Sequence, residues 1–279
     1  MEKNSGSVTE RGWAKINLAL NISGRRSGYH TLESVIMRAP LFDEVTIRFS
    51  DADSVVYSDG AEYPRDNVIR ALNAVRKFFA SDKRFAVEVK RNIPGGKGLG
   101  ASSAAAAAAT VGAAKLLGNG DPKILSAVLS EAGADCAFQA SGADCALATG
   151  LGEKLVPMEF PKLYTAFCST SDEADSGKVY EVYDITGGAG GSIEKFKEDL
   201  LPFNSLEVAA VALKPGILSA RRALTDAGYE RVVMTGSGAG YIGFTADEES
   251  HRKNYSALIK IAAERGLNIY DFTEVENER

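Results

Sequence analysis

The sequence predicts an α+β protein of two lobes, an N-terminal lobe of mixed strands and helices and a C-terminal lobe in which helices cover an antiparallel sheet. Three observations carry this. Period-two alternation of apolar residues marks strands in both halves of the chain, interleaved with segments of helical spacing. Residues 85–117 run from a strand through a glycine-rich loop into a strongly helix-forming tract. A second glycine loop, Gly236 to Gly240, separates two short apolar strands. With 279 residues, 45% of them hydrophobic, the chain can build two lobes around a cleft. We place the boundary near residue 160, with a phosphate-binding domain over 1–160 and a second domain over 161–279.

From Trp13 to Ile22, the apolar Ile16, Leu18, Leu20 and Ile22 alternate with Lys15, Asn17, Ala19 and Asn21. That is the period of a half-buried strand, and it puts Lys15 and Asn17 on one face. Gly24 and Gly28 predict a turn leading to Tyr29 and His30, and Glu44 to Phe49 alternate again. Asp66-Asn67 reads as a helix start, followed by the stripe Val68, Leu72, Val75 and Phe79. Phe85, Val87 and Val89 form the strand before the glycine loop, and Ala104 to Leu117 the helix after it. Pro122 predicts the first turn of a helix running toward Glu131, interrupted at Gly133-Ala134-Asp135. The string Gly133 to Ala137 recurs at Gly142 to Ala146, too short a match to indicate a repeat architecture. A strand follows Leu163, then a polar stretch from Ser169 to Asp175 and the glycine cluster Gly187 to Gly191, which reads as a mobile loop or a lobe junction. Helices from Ser192, a strand over Arg231 to Met234, the second glycine loop, a strand over Tyr241 to Phe244 and a final helix and strand complete the chain.

A net charge of −5 offers no general attraction to nucleic acid or to an anionic membrane, so phosphate binding must be local. The expectation is no nucleic-acid partner, no membrane association, and a monomer or homodimer. No run of about 18 apolar residues is present, and the first ten residues lack the apolar centre of a signal peptide, so a cytoplasmic protein is expected. Cys136, Cys145 and Cys168 lie in apolar surroundings and read as buried thiols of a reducing compartment.

The chemistry concentrates in Pro94, Gly95, Gly96, Lys97, Gly98, Leu99, Gly100, Ala101, Ser102 and Ser103. Glycines let backbone N–H groups crowd an anion, and the helix that follows adds unpaired N–H groups, a positive dipole end and two hydroxyls. That combination suits a polyphosphate. Lys97 precedes the helix, which excludes a Walker A loop, and the glycine spacing excludes the dinucleotide-binding fingerprint.

Together, the strand Trp13 to Leu18, the loop Pro94 to Ser103 and the string Gly236 to Ala239 resemble the three fingerprints of the GHMP small-molecule kinases, in the family's order. Gly24 to Leu32, Asp66 to Ile69, Gly133 to Asp135, Gly150 to Glu153 and Asn204 are similar to the branch of that family whose acceptor alcohol carries a cytidyl diphosphate. In this chain Trp13 stands where the family usually has proline, and the Arg-to-Tyr segment and the phosphate loop are each one residue shorter than in that branch. The resemblance implies a two-lobed GHMP kinase fold with the active site in the cleft. It also implies ATP and Mg2+, and phosphorylation of the 2-hydroxyl of diphosphocytidyl methylerythritol in non-mevalonate isoprenoid biosynthesis. Two alternatives stay open: a GHMP kinase for homoserine, mevalonate or a sugar, and a nucleotide-binding relative without turnover.

The resemblance also assigns roles. Asp135 would accept the hydroxyl proton, and Lys15 would lower the pKa of carboxylate and alcohol and neutralise the moving phosphoryl group. Without it, Asp135 and Asp144 are indistinguishable; with it, Asp144 is a turn residue. Asn17 would hold the acceptor, His30 would meet the edge of the base, and Tyr29 and Tyr180 would stack on its faces. Asn67 would line the adenine pocket, and Gly236, Ser237 and Gly238 would close the site with backbone donors. Lys97 reads equally as charge near the phosphates or as a solvated loop lysine, and the direct metal ligands are left unassigned beyond Ser102 or Ser103.

Overall fold

Two long strands organise the first lobe: β1 (Ser7–Arg26) and β2 (Tyr29–Ser50) pair antiparallel. Their turn is Ser27-Gly28, both residues at positive φ (52° and 83°), the backbone that matches the twist of a two-residue hairpin. Gly24 therefore lies inside β1, at one of three register irregularities, and not in the turn as expected. The computed structural model describes residues 6–63, 66–121, 124–125, 128–129 and 134–273, with Ala134, Asp135 and Ala140 described by backbone alone. Pro122 and Glu131, the bounds of one predicted helix, and Gly133 lie outside the described residues.

In the first sheet β3 (Ser54–Tyr57), β4 (Arg84–Lys90), β2, β1 and β8 (Phe203–Asn204) lie in that order, while β5 (Cys145–Gly150) branches from β2 and β6 (Lys154–Pro157) pairs with β5. The second sheet, β11 (Asn268–Asp271), β7 (Tyr164–Ser169), β10 (Gly240–Thr245) and β9 (Arg231–Met234), is antiparallel throughout. The fold is thus mixed α and β in two lobes, and the chain returns from the second to add β8 beside β1.

Helix α1 (Asn67–Phe79) starts where its sequence says it should: the Asp66 carboxylate accepts from Val68 N and Ile69 N, and Val68, Leu72 and Val75 are buried. Helix α2 (Ala101–Leu116) is buried on nearly every side, which its alanines permit, because a small surface lets β1 and α1 approach together. A Cβ on Gly12 of β1 would collide with the Ala104 carbonyl. After α3 (Ala134–Ser141) come α4 (Ser176–Thr186), α5 (Ile193–Asp199), α6 (Glu207–Leu213), α7 (Leu218–Asp226) and α8 (Glu248–Arg265). The glycine cluster between α4 and α5 lies tightly against β8, with Gly188 over the Ser205 carbonyl and Gly191 over the Phe203 ring. Gly188, Ala189 and Gly190 nonetheless stay exposed. Cys136, Cys145 and Cys168 are buried free thiols, and burial pushes the last two up to about 12. Among the described residues no helix is long and apolar enough to cross a membrane.

Candidate active site

Asp43 of β2 anchors the entry to the phosphate loop. It is fully buried and accepts from Asn92 N (2.7 Å), Ile93 N (2.8 Å) and Arg91 Nη1 (2.6 Å). Burial raises its carboxyl above the ordinary value, opposed by those backbone donors and by Arg91. Beyond the anchor the chain turns through Gly96, Gly98 and Gly100 at φ 64°, 78° and 73°. Gly98 has a second reason to be glycine: a Cβ there would run into the Thr235 carbonyl of the second glycine loop. Helix α2 then begins without a side-chain cap on its first-turn N–H groups, an end suited to an anion.

A cavity of about 370 Å³ opens over this loop, lined by every residue from Pro94 to Ser103 together with Lys15, Asn17, Asn67, Tyr180, Gly236 and Ser237. The structure therefore brings together most of the residues singled out from the sequence. Asn67 donates to Ser102 Oγ (2.7 Å), which ties the start of α1 to the start of α2.

Lys15 enters the cavity from the middle of β1, where Leu99 O accepts from its backbone N–H (3.0 Å). Its buried ammonium donates to Asn17 Oδ1 (2.7 Å), and Asn17 Nδ2 donates to Ser34 Oγ (2.7 Å). Ser34, fully buried on β2, in turn donates to the Ala19 carbonyl (2.7 Å). The direction of this relay is forced: a carbonyl can only accept, so Ser34 must accept from Asn17, and the amide oxygen of Asn17 must face Lys15. Thr235 Oγ1 accepts from Asn17 N (3.0 Å) and donates to Gly98 O (3.3 Å), joining the strand to both glycine loops. Asn17 thus orients Lys15 as well as lining the cavity.

At the far end the hairpin meets α4. His30 stacks on Tyr180 (ring centroids 4.9 Å apart, 23° between planes) and meets Tyr183 edge-on. His30 Nε2 lies 2.7 Å from Asp184 Oδ1, and Arg25 pairs with the same carboxylate. Those two hydrogen bonds, Arg25 first, hold the Asp184 carboxyl below the ordinary value. Tyr29 is placed otherwise than expected: it is 70% exposed and is not a lining residue of the cavity. Strand alternation explains this, since turning His30 toward α4 turns its neighbour away.

Other residues sort as follows. Lys97 is buried and not solvated: its ammonium donates to the carbonyls of Ser171 (3.0 Å) and Asp172, and burial lowers its pKa. Gly238 packs inward, against Met234 and Ala210, and does not line the cavity. Asp135 falls in the first turn of α3, and its side chain lies outside the described residues. The Asp144 side chain is 87% exposed, 3.6 Å from Arg38. The sequence reading missed Ser34, Thr235 and Ser176. The last, at the start of α4, lines the cavity and hydrogen-bonds Ser237 (2.6 Å). Thr235 stands directly before Gly236, a signal that was available. Among the described residues no group of three His, Cys, Asp or Glu could hold a metal. The hydroxyls of Ser102 and Ser103 are hard oxygen donors that fit a Mg2+ taking its remaining ligands from phosphate and water.

Residues 66–152 match the family model described as the GHMP kinases N terminal domain. The chain is 33% identical over 260 residues to the 4-diphosphocytidyl-2-C-methyl-D-erythritol kinase of Deinococcus radiodurans, covering 88% of this chain and 86% of that one. It is 32% identical over 259 residues to the kinase of the same name from Geobacter metallireducens, covering 88% and 92%. Among solved structures it is similar to a 4-(cytidine 5'-diphospho)-2C-methyl-D-erythritol kinase, with TM-score 0.72, 26% identity and coverage of 95% and 98%. A homoserine kinase from Cytophaga hutchinsonii, at TM-score 0.68 and 18% identity over 98% and 96%, shares the fold.

Proposed function

Because the chain belongs to the 4-diphosphocytidyl-2-C-methyl-D-erythritol kinase family of GHMP kinases, we propose that it transfers the γ-phosphoryl group of ATP to the 2-hydroxyl of 4-diphosphocytidyl-2-C-methyl-D-erythritol. The reaction serves non-mevalonate isoprenoid biosynthesis. The observation that carries the reading is one continuous cavity with a polyphosphate cradle at one wall and Tyr180, stacked on His30, at another.

In this reading the backbone N–H groups of Gly95 to Ser103 hold the phosphates of ATP, with Asn67 beside the nucleoside and Gly236 and Ser237 closing over the transferring group. Mg2+, held through Ser102 or Ser103, would neutralise phosphate charge. The carboxylate of Asp135 takes the proton of the acceptor hydroxyl as its oxygen attacks phosphorus and ADP departs. Lys15, aimed by Asn17, balances negative charge where the acceptor oxygen and the phosphoryl group meet. His30 and Tyr180 hold the cytosine. With Asp184 ionised, His30 donates to it from Nε2, and Nδ1 is the ring nitrogen left for the base edge.

The test is a coupled assay of ATP consumption with magnesium, comparing diphosphocytidyl methylerythritol with homoserine, mevalonate and galactose at matched concentrations. Turnover confined to the cytidyl compound is expected. Turnover confined to another alcohol would discard the cytosine pocket, and ATP binding with silence on all four would discard the acceptor.

A further inference from the structure

Helix α3 carries a residue that neither the fold nor the phosphate chemistry accounts for. Gln139 places its side-chain amide against the backbone of Trp13 as another strand would: its Oε1 accepts from Trp13 N (3.2 Å) and its Nε2 donates to Trp13 O. A side chain pairing with both polar groups of one backbone residue fixes its own helix in translation and rotation at once. The partner matters, because Trp13 lies two residues before Lys15 on the same strand, across one of the register irregularities of the β1–β2 pair, so a shift of the Trp13 backbone is carried directly to Lys15. Gln139 lies four residues, about 6 Å of helix rise, after Asp135.

The rest of the helix is held on its other sides. Cys136, next to Asp135, donates to the carbonyl of Ser103 (3.7 Å), at the end of the phosphate loop, and is buried among Ala106, Ala107 and Ala71. Phe138 is buried against Ile36, Ala146 and Ala148 of β2 and β5. These apolar contacts are tolerant of sliding, whereas a pair of hydrogen bonds to one residue is not. Trp13 itself is held, packed on Phe42 with ring centroids 4.9 Å apart and with Arg38 lying over it.

We propose that Gln139 is a positioning residue for phosphoryl transfer, setting the helix that carries Asp135 in register with the strand that carries Lys15. It touches neither substrate; it acts through the Trp13 backbone. The proposal rests on the reading of Asp135 and Lys15 as the reacting pair.

The experiment uses the full chain and four variants, Gln139→Leu, Gln139→Glu, Trp13→Pro and Gln139→Leu with Trp13→Pro, with kcat and KM for both substrates and ATP affinity by calorimetry. Gln139→Leu keeps the volume and removes both hydrogen bonds; a misplacement of about 1 Å should lower kcat roughly 100-fold, with ATP affinity and acceptor KM within about threefold. Gln139→Glu keeps an acceptor for Trp13 N–H and loses the donor to Trp13 O, and should fall between. Trp13→Pro removes the N–H, and the double variant should be no slower than the slower single one, because the two act through one contact. An unchanged kcat in Gln139→Leu, a parallel loss of kcat and ATP affinity, or additive losses in the double variant would each overturn the proposal. Should Gln139→Leu fail to fold, Gln139→Glu against Trp13→Pro decides the same question. Failure of the underlying reading is separate: the parent enzyme would then show no turnover, or Asp135→Asn would match it.

Discussion

Replacing Ser34 with alanine tests whether the relay behind Lys15 sets the catalytic geometry. The substitution removes one oxygen from a fully buried site and deprives two groups of their partner, the Asn17 amide N–H and the Ala19 carbonyl. At about 1–3 kcal/mol for each buried polar group left unpaired, stability should fall by about 3 kcal/mol. The second effect is kinetic. Without Ser34 to accept its N–H, the Asn17 amide loses the partner that fixes it from behind and can swing away from its place, carrying with it the oxygen 2.7 Å from the Lys15 ammonium. The ammonium must then move by the better part of an ångström, which should lower kcat by about 10²-fold while ATP affinity stays within a few fold. Urea unfolding measures the first effect, and steady-state rates with calorimetry on ATP measure the second. In an Asn17→Leu background, where no amide remains to orient, Ser34→Ala should cost nothing further in kcat. A Ser34→Ala enzyme within about threefold of the parent kcat, or a full additional loss in the Asn17→Leu background, would refute the relay.

Other expectations follow from the site. Asp135→Asn should keep ATP affinity within a few fold and lower turnover by about 10²–10⁴, read by single-turnover kinetics; an unchanged rate would turn attention to Asp144. Asp184→Asn should raise the acceptor KM several-fold and the ATP KM far less, since it loosens the hairpin end of α4 at His30 and Arg25. The sign of the pH effect is set by the lowered Asp184 pKa: its clasp is complete above the ordinary carboxylate value and is lost as pH falls through the lowered one, so the acceptor KM should rise only on the acid side. A break near neutrality that vanishes in Asp184→Asn would contradict it. Asp66→Ala removes the cap of α1 and the acceptor of the Tyr57 hydroxyl (2.8 Å), and should cost about 1–2 kcal/mol in thermal or urea unfolding.

The strand, loop and helix that build the phosphate cradle were legible because each is coded locally: alternation for β4, glycine for the loop, alanine for α2. The register of the hairpin was not. Counting outward from the Ser27-Gly28 turn would set Asn17 opposite Arg38, whereas the two irregularities between the turn and Asn17 bring it opposite Ile36. Those shifts bring Ser34 within reach of Asn17, and no short-range pattern announces them. Tyr29 is misplaced for a related reason, since contacts with one base, an edge for His30 and a stack for Tyr29, are given to two adjacent strand residues, which point to opposite faces. Lys97 looked like an exposed loop lysine because its acceptors, the Ser171 and Asp172 carbonyls, are more than seventy residues away in the chain. In the second lobe β9 begins and ends where the apolar pattern does, whereas α4 and the pairing of β8 with β1 are not read from the sequence.

Helix α4 is fastened at both ends. At its start Ala174 N donates to Gly96 O (3.2 Å) and Ser176 meets Ser237, while two residues before its end Asp184 holds Arg25 and His30. A rod of about 16 Å therefore spans the distance between the glycine-rich loop and the β1–β2 hairpin. A shift of its near end on nucleotide binding would therefore be felt at Tyr180 and His30 at the other. By thermodynamic reciprocity, the factor by which ATP changes the affinity for the acceptor is the factor by which the acceptor changes the affinity for ATP. An inhibitor that fills only the cytosine pocket would then be read at the phosphate loop as a change in nucleotide affinity, with no shared atom between the two sites.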